Sequence, residues 1–122
     1  LYQIRHKDGN IDPYSSGTFI SADGAYQHLS KKEFQIEVRK QWKSEKSKAI
    51  YPSEWKLKVA GHQIELTLSP TVKDQELMTN QSTRVNYWEG SVKVEGKYQG
   101  NPVKGMGYVE LTGYAEPFSG KI

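Results

Sequence analysis

Apolar residues recur at every second position through most of this chain, a period that fits strands and excludes amphipathic helices over the same residues. Phe34, Ile36, Val38 and Trp42 share one side of their segment, with Gln35, Glu37, Arg39 and Gln41 opposite and Lys40 interrupting the apolar side. Trp55, Leu57 and Val59 alternate with Glu54, Lys56 and Lys58. Ile64, Leu66 and Leu68 alternate with Gln63, Glu65 and Thr67. Val92, Val94 and Tyr98 alternate with Ser91, Lys93, Glu95 and Lys97. One apolar and one polar side per strand points to antiparallel sheet with a single buried face. Phe34, Ile36, Val38, Trp55, Leu57, Ile64, Leu66, Leu68, Val92 and Val94 are therefore expected to be mainly buried.

Turn chemistry separates these segments. Asp23-Gly24 reads as a type I′ hairpin turn, which needs positive φ at both positions, and Gly61-His62 reads as a type II′ turn. Gln99-Gly100-Asn101-Pro102 reads as a looser turn before the last long strand. Asp12 to Gly17 and Lys43 to Pro52 read as loops. Ser30-Lys31-Lys32-Glu33 has the pattern of a capping box, with room for one helical turn before the alternation at Phe34. Pro70 to Ser82 has little periodicity and reads as an irregular connection. About eight or nine short strands with regular turns give an all-β barrel or sandwich with very little helix.

The chain has 122 residues, enough for one core. It is lean in aliphatics, so its eight Tyr, three Trp and three Phe must supply much of the buried area. It has no cysteine, which excludes disulfide and thiolate chemistry. No apolar run approaches the ~20 residues of a membrane-spanning helix. The chain opens at Leu1 without an initiator Met, so a piece of a longer protein is expected. The net charge is +3. Most lysines between Lys31 and Lys58 interleave with Glu33, Glu37, Glu45 and Glu54, as on a solvated strand face. A weak surface for an anionic partner is the sharper alternative. The basic residues fall mostly opposite the apolar ones and acids dilute them, so no nucleic-acid partner is expected.

Two segments are unusual for a purely structural strand. Tyr87-Trp88-Glu89-Gly90 puts Tyr87 and Glu89 on one side and Trp88 on the other. From Met106 to Tyr114, Val109 and Leu111 share a side with Gly107 and Gly113, opposite Met106, Tyr108, Glu110, Thr112 and Tyr114. Aromatic rings mixed with a few polar groups are what ligand cavities use. The structural alternative is that tyrosine hydroxyls reach solvent and the glycines relieve barrel curvature.

Little else carries chemistry. His6, His28 and His62 match no metal spacing, and no metal or cofactor is expected. The nucleophile elbow, the P-loop and the dinucleotide fingerprint are absent. Among Asp74, Glu76, Glu89 and Glu110, the candidates for an acid with a raised pKa are Glu89 and Glu110, which lie beside aromatics. The alternative is that these carboxylates accept hydrogen bonds and fix a loop or a barrel end. Asn80-Gln81-Ser82 matches the short N-glycosylation tripeptide.

Several strings together resemble one family: Asp8-Gly9, Asp12-Pro13-Tyr14-Ser15-Ser16-Gly17-Thr18-Phe19-Ile20, His28-Leu29-Ser30, Tyr51-Pro52 with Trp55, Asp74-Gln75-Glu76-Leu77, Tyr87-Trp88-Glu89-Gly90 and Gly105 to Tyr114. In that order they are similar to the C-terminal half of the two-domain lipocalin-like proteins. That family includes carotenoid 1,2-hydratases, bacterial proteins called predicted secreted hydrolases, a lipoprotein branch associated with ABC transport and fungal decalin-forming cyclases. The resemblance runs from Leu1 to Ala115. It implies an antiparallel lipocalin-like β-barrel of about eight or nine strands, preceded in the same chain by an N-terminal lipocalin-like domain. The expected partners are an apolar small molecule or lipid and ABC transporter components. The expected setting is extracytoplasmic, in a bacterium. The hydratase branch implies acid-catalysed addition of water to an alkene, but its catalytic residues do not map onto this sequence.

The working reading is a domain that binds an apolar or amphipathic, lipid- or isoprenoid-like ligand. Trp55, Tyr87, Trp88, Tyr108, Glu110 and Tyr114 would line the barrel interior or the inter-domain crevice. The alternatives are a part of a hydratase-like lyase or isomerase whose chemistry needs the N-terminal domain, and a structural brace. Alone, the domain is expected to have no enzymatic activity.

Overall fold

The computed structural model describes residues 1–78 and 86–115. These form β1 (Ser16–Ile20), β2 (Tyr26–Ser30), β3 (Gln35–Lys43), β4 (Ile50–Val59), β5 (Ile64–Pro70), β6 (Glu76–Met78), β7 (Asn86–Tyr98) and β8 (Asn101–Leu111). Every strand pairing is antiparallel. Single 3-10 turns at Lys31–Glu33 and Ala60–His62 are the helical elements among the described residues. The expected all-β, antiparallel architecture with very little helix is what forms. The glycosylation-like tripeptide lies outside the described residues.

β1 and β2 make a two-stranded hairpin, and the other six strands make one sheet in the order β3-β4-β5-β7, with β8 beside β7. β5 pairs with residues 92–98 of β7 and β6 with residues 86–88, while β8 runs along the opposite edge from 88 to 98. β5 and β6 thus share one edge of β7, interrupted by a short excursion over 71–75. That excursion was expected to continue as irregular chain, but β6 returns it to the sheet. A side chain bridges the gap. Gln75 Nε2 donates to the Ser91 carbonyl at 3.1 Å, and the Ser91 N–H donates to Gln75 Oε1 at 3.1 Å. The primary amide does what a peptide unit does elsewhere in the ladder. Gly90 makes room for it, since a Cβ there would sit 2.0 Å from Gln75 Oε1.

The hairpins form where the sequence places them, with different turns. Between β1 and β2, Ser21 and Ala25 flank a three-residue loop closed by Gly24 N–H to Ser21 O at 2.9 Å and Ser21 N–H to Ala25 O at 2.8 Å. Only Gly24 has positive φ there, so the turn is not type I′. Asp23 stays out of the left-handed region because its carboxylate already accepts the Ala25 N–H, at 3.1 Å, and the Ser21 hydroxyl. Gly61-His62 is not a type II′ turn either. It lies within the 3-10 turn, and the left-handed residue is Gln63, φ 53, which lets Val59 pair with Ile64. The type I′ signature appears instead at Gln99 (φ 53) and Gly100 (φ 83), directly joining Tyr98 to Asn101. Lys43 to Pro52 is a shorter loop than expected, because β3 and β4 extend into it from both sides.

The capping pattern holds: the Glu33 carboxylate accepts the Ser30 N–H at 2.9 Å and the Ser30 hydroxyl at 3.1 Å. Lys40 is accommodated by register shifts on both sides of it, which set it opposite Glu54 with an ion pair of 3.6 Å. A bulge thus removes a cation from an apolar face.

Candidate functional site

The face carrying Trp55, Leu57, Leu66 and Val92, here the inner face, closes at both ends. At one end Tyr51, Trp55, Trp88, Val92 and Leu111 form a buried cluster with Ala49 and Ala115. The Trp55 and Trp88 rings sit 6.3 Å apart at 59°, a tilted contact that suits the ring quadrupoles. At the other end Leu29 from the β1-β2 hairpin closes over Phe34 and Val59, with Phe19 and Ile64 at the margin.

Between the clusters the inner face stays partly open. Phe34, Trp55 and Val92 are buried as expected, but Ile36, Leu57, Ile64, Leu66, Leu68 and Val94 are only half-buried. Val38 departs from expectation outright and is 44% exposed. It lies on β3, which has β4 as its partner strand, opposite Trp55 and beside the Lys40 bulge, and is part of neither cluster. Gly105, in the same cross-strand row as Val38 and Val94, has nothing within 4 Å of where its Cβ would be. The result is an apolar trough with half-open walls.

One polar network borders it. Glu76, opposite Trp88 in register, accepts hydrogen bonds from the hydroxyls of Ser44 at 2.5 Å, Ser47 at 2.5 Å and Tyr51 at 2.7 Å. Burial pushes the Glu76 carboxyl up, but the three hydroxyls and the Lys46 charge outweigh it and hold it below its ordinary value. Tyr51 is fully buried, and burial and the neighbouring anion together push its phenol well up. The pair is a fixed carboxylate and a neutral phenol. Trp42 stacks against Tyr51 at 6.2 Å, Tyr114 tilts against it at 6.0 Å, and Arg5 lies 4.3 Å above the Tyr114 ring. Sequence reasoning named Glu76 among four carboxylates but favoured Glu89 and Glu110. Nothing in the sequence near Glu76 shows that the Ser44, Ser47 and Tyr51 hydroxyls meet its carboxylate.

The predicted ligand-binding set divides between two faces. Trp55 and Trp88 are core residues of the inner face, with Trp88 Nε1 donating to the Lys73 carbonyl at 2.8 Å. Tyr114 follows β8 and joins them at the margin rather than facing with Tyr108, because Gly113 turns the chain at φ 85. Tyr87, Glu89, Tyr108 and Glu110 lie together on the outer face. Glu89 and Glu110 oppose each other directly across β7 and β8, and the Tyr108 hydroxyl donates to Glu89 at 3.0 Å. That hydrogen bond, followed by burial and the nearby carboxylates, raises the Tyr108 phenol. Burial first, then Glu89, raises that of Tyr87. Tyr108 is 68% exposed and Glu110 is exposed, so neither stands in an enclosed cavity.

A separate surface depression of about 670 Å³ lies on the outer face near the β4-β5 and β7-β8 turns. Lys56, Lys58, Glu65, Thr67 and Lys97 line it. In register Glu65 sits between Lys58 and Lys97, and it pairs with Lys56 Nζ at 2.7 Å. The depression is a cross-strand charge ladder, and none of the aromatic candidates lines it. Among the described residues no group of three His, Asp or Glu stands close enough to hold a metal ion.

A family model described as AttH-like matches residues 1–114. The chain belongs to the AttH-like family. The crystal structure of a Nitrosomonas europaea protein assigned as an AttH is 30% identical, superposes with a TM-score of 0.79 and is matched over 93% of this chain and 33% of its own. Kievitone hydratase from Nectria haematococca is 23% identical with a TM-score of 0.68, over 90% of this chain and 33% of its own, a likeness of fold. The AttH-like chain thus spans about a third of the length of both. Among curated proteins none matches it. The family resemblance stated from the sequence agrees with the AttH-like match, and its fold with both solved structures.

Proposed function

We propose that this AttH-like domain binds an apolar or amphipathic, lipid- or isoprenoid-like ligand along the inner-face trough. The observation that carries this reading is the exposed Val38 with half-buried Leu57, Leu66 and Val94, which span two neighbouring cross-strand rows of the inner face, Leu57 at the margin of one buried cluster and Val94 at the margin of the other. A sheet that buries one face normally covers it along its whole length, because exposed apolar area costs about 25 cal/mol per Å². Here both ends are buried and the middle is only half-covered. The outer-face tyrosines are a weaker choice, since carboxylates and solvent surround them.

The test is titration of the 122-residue chain with an apolar fluorescent probe and with farnesol. Val38→Glu puts a charge in the trough at a position open enough to tolerate it. It should weaken binding about tenfold or more, as loss of a buried anchor does. Tyr108→Ala on the outer face should bind as the native chain does. No saturable binding, or native affinity in V38E, overturns the proposal. A loss in Tyr108→Ala alone moves the ligand to the outer face.

A second reading makes the longer protein a hydratase-like lyase or isomerase, and the Glu76–Tyr51 pair beside the Trp42 and Tyr114 rings favours it. A carboxylate held ionised by three hydroxyls suits facing a cationic intermediate rather than donating or taking up a proton. Turnover by the longer protein that survives Glu76→Gln unchanged removes this reading.

A further inference from the structure

We propose that β8 is a self-complementary edge, pairing antiparallel with the β8 of a second copy about a two-fold axis at Gly107. β8 is 11 residues long, and among the described residues its partner is β7 alone. The two-residue turn at Gln99-Gly100 makes Tyr98 and Asn101 a hydrogen-bonded pair. Antiparallel pairs alternate, so Val103, Gly105, Gly107 and Val109 bond to β7. The N–H and C=O groups of Lys104, Met106, Tyr108 and Glu110 therefore point away from β7, along the edge.

Natural edges are usually blunted by lysine or proline, by bulges or by inward charges, and β8 carries a single lysine, Lys104, balanced by Glu110. The β7-β8 ladder runs without a register shift, and Pro102 stands only at its start. Met106 and Tyr108 are 69% and 68% exposed on the outer side of this edge. Among the described residues neither Lys104 nor Glu110 has an ion-pair partner.

An axis at Gly107 sets Lys104 opposite Glu110 of the second copy and Met106 opposite its Tyr108, each pair formed twice. All four residues then exchange backbone hydrogen bonds, and the axis falls on a non-bonded pair of glycines, where strands approach most closely. On the inner side Val103 faces Leu111 and Gly105 faces Val109. The neighbouring registers with correct hydrogen-bond parity lack this match. An axis at Met106 sets Lys104 opposite Tyr108, and Glu110 opposite Pro102, which has no N–H to give. An axis at Tyr108 sets Glu110 opposite Met106. Opposite charges and a sulfur–aromatic contact at facing positions are the pairs that stabilise antiparallel strands.

Charge swapping with sedimentation equilibrium tests this on the 122-residue chain. Within one copy, positions 104 and 110 lie roughly 20 Å apart along the strand and cannot pair with each other. Lys104→Glu or Glu110→Lys alone places like charges opposite each other twice per dimer and should weaken self-association about tenfold or more. The double variant K104E/E110K should dimerise as the native chain does. K104E mixed with E110K should form a heterodimer that neither makes alone. Circular dichroism of each variant reports that these exposed substitutions leave the fold intact. A chain that stays monomeric, or a dimer indifferent to every swap, overturns the proposal.

Discussion

Glu76 is the residue whose ionisation the fold depends on most visibly. Its carboxylate holds the β3-β4 loop through Ser44 and Ser47 and the core through Tyr51. A carboxyl held below its ordinary value of 4.5 binds protons less readily folded than unfolded. Its contribution to stability is therefore complete above the unfolded value and is lost as pH falls through the lowered folded one. Urea unfolding of the native chain should show stability declining below about pH 4.5, and Glu76→Gln should flatten that part of the profile while lowering stability at pH 7. An unchanged profile in E76Q would place the acid sensitivity elsewhere. Tyr51→Phe should cost about 1.5–3 kcal/mol at neutral pH, since a hydrogen bond to a charged group is lost. None of this was legible from spacing. Ser44 and Glu76 are 32 positions apart, and nothing local to Glu76 marks it over Glu89 or Glu110.

The excursion between β5 and β6 supplies a sharper test at the scale of elements. Gly90→Ala drives a methyl into Gln75 and should displace its amide from Ser91, costing about 1–3 kcal/mol. If the cost runs through that amide, Gln75→Ala and Gly90→Ala should fall well short of additive in a double-mutant cycle. Full additivity would mean the glycine matters for another reason. The strands themselves were largely legible, because burial of one face imposes period two on side chains whatever the partner strand. Turn types were not. A hairpin tolerates several loops, and Asp23 and Gln63 satisfied local hydrogen bonds that the dipeptide pattern does not display.

For the whole molecule, alternation tells which side of a strand faces inward but not how far anything covers it. That depends on what packs across, and the β1-β2 hairpin closes the Phe34 and Val59 end, with Ile36, Leu57 and Ile64 at the margin of that cluster. Trp88→Ala should therefore cost about 3–5 kcal/mol, as expected for a fully buried ring. Leu66→Ala, half-open on the trough, should cost only about 1–2 kcal/mol, below the usual range for a core leucine. Equal losses in chemical denaturation would mean the trough is covered in solution. The faces of Trp88 and Tyr87 were legible for the same reason as the strands. Tyr114 was misplaced because one left-handed glycine, Gly113, ended the alternation.

The larger sheet runs β3-β4-β5-β7-β8, so nearly every strand lies beside the one made just before or after it. A nascent chain can then grow this sheet by accretion, each strand docking on the previous one as it leaves the ribosome. Loop closure is short at the β3-β4, β4-β5 and β7-β8 steps, which favours rapid folding, and longer from β5 to β7, where Pro70 pairs with Val92. Only β6 interrupts the sequence, and it settles on the edge that β5 has begun. Until β7 arrives, β5 and β6 have no common template, so the first residues of β7 should be among the last to gain protection in pulse-labelled exchange during refolding.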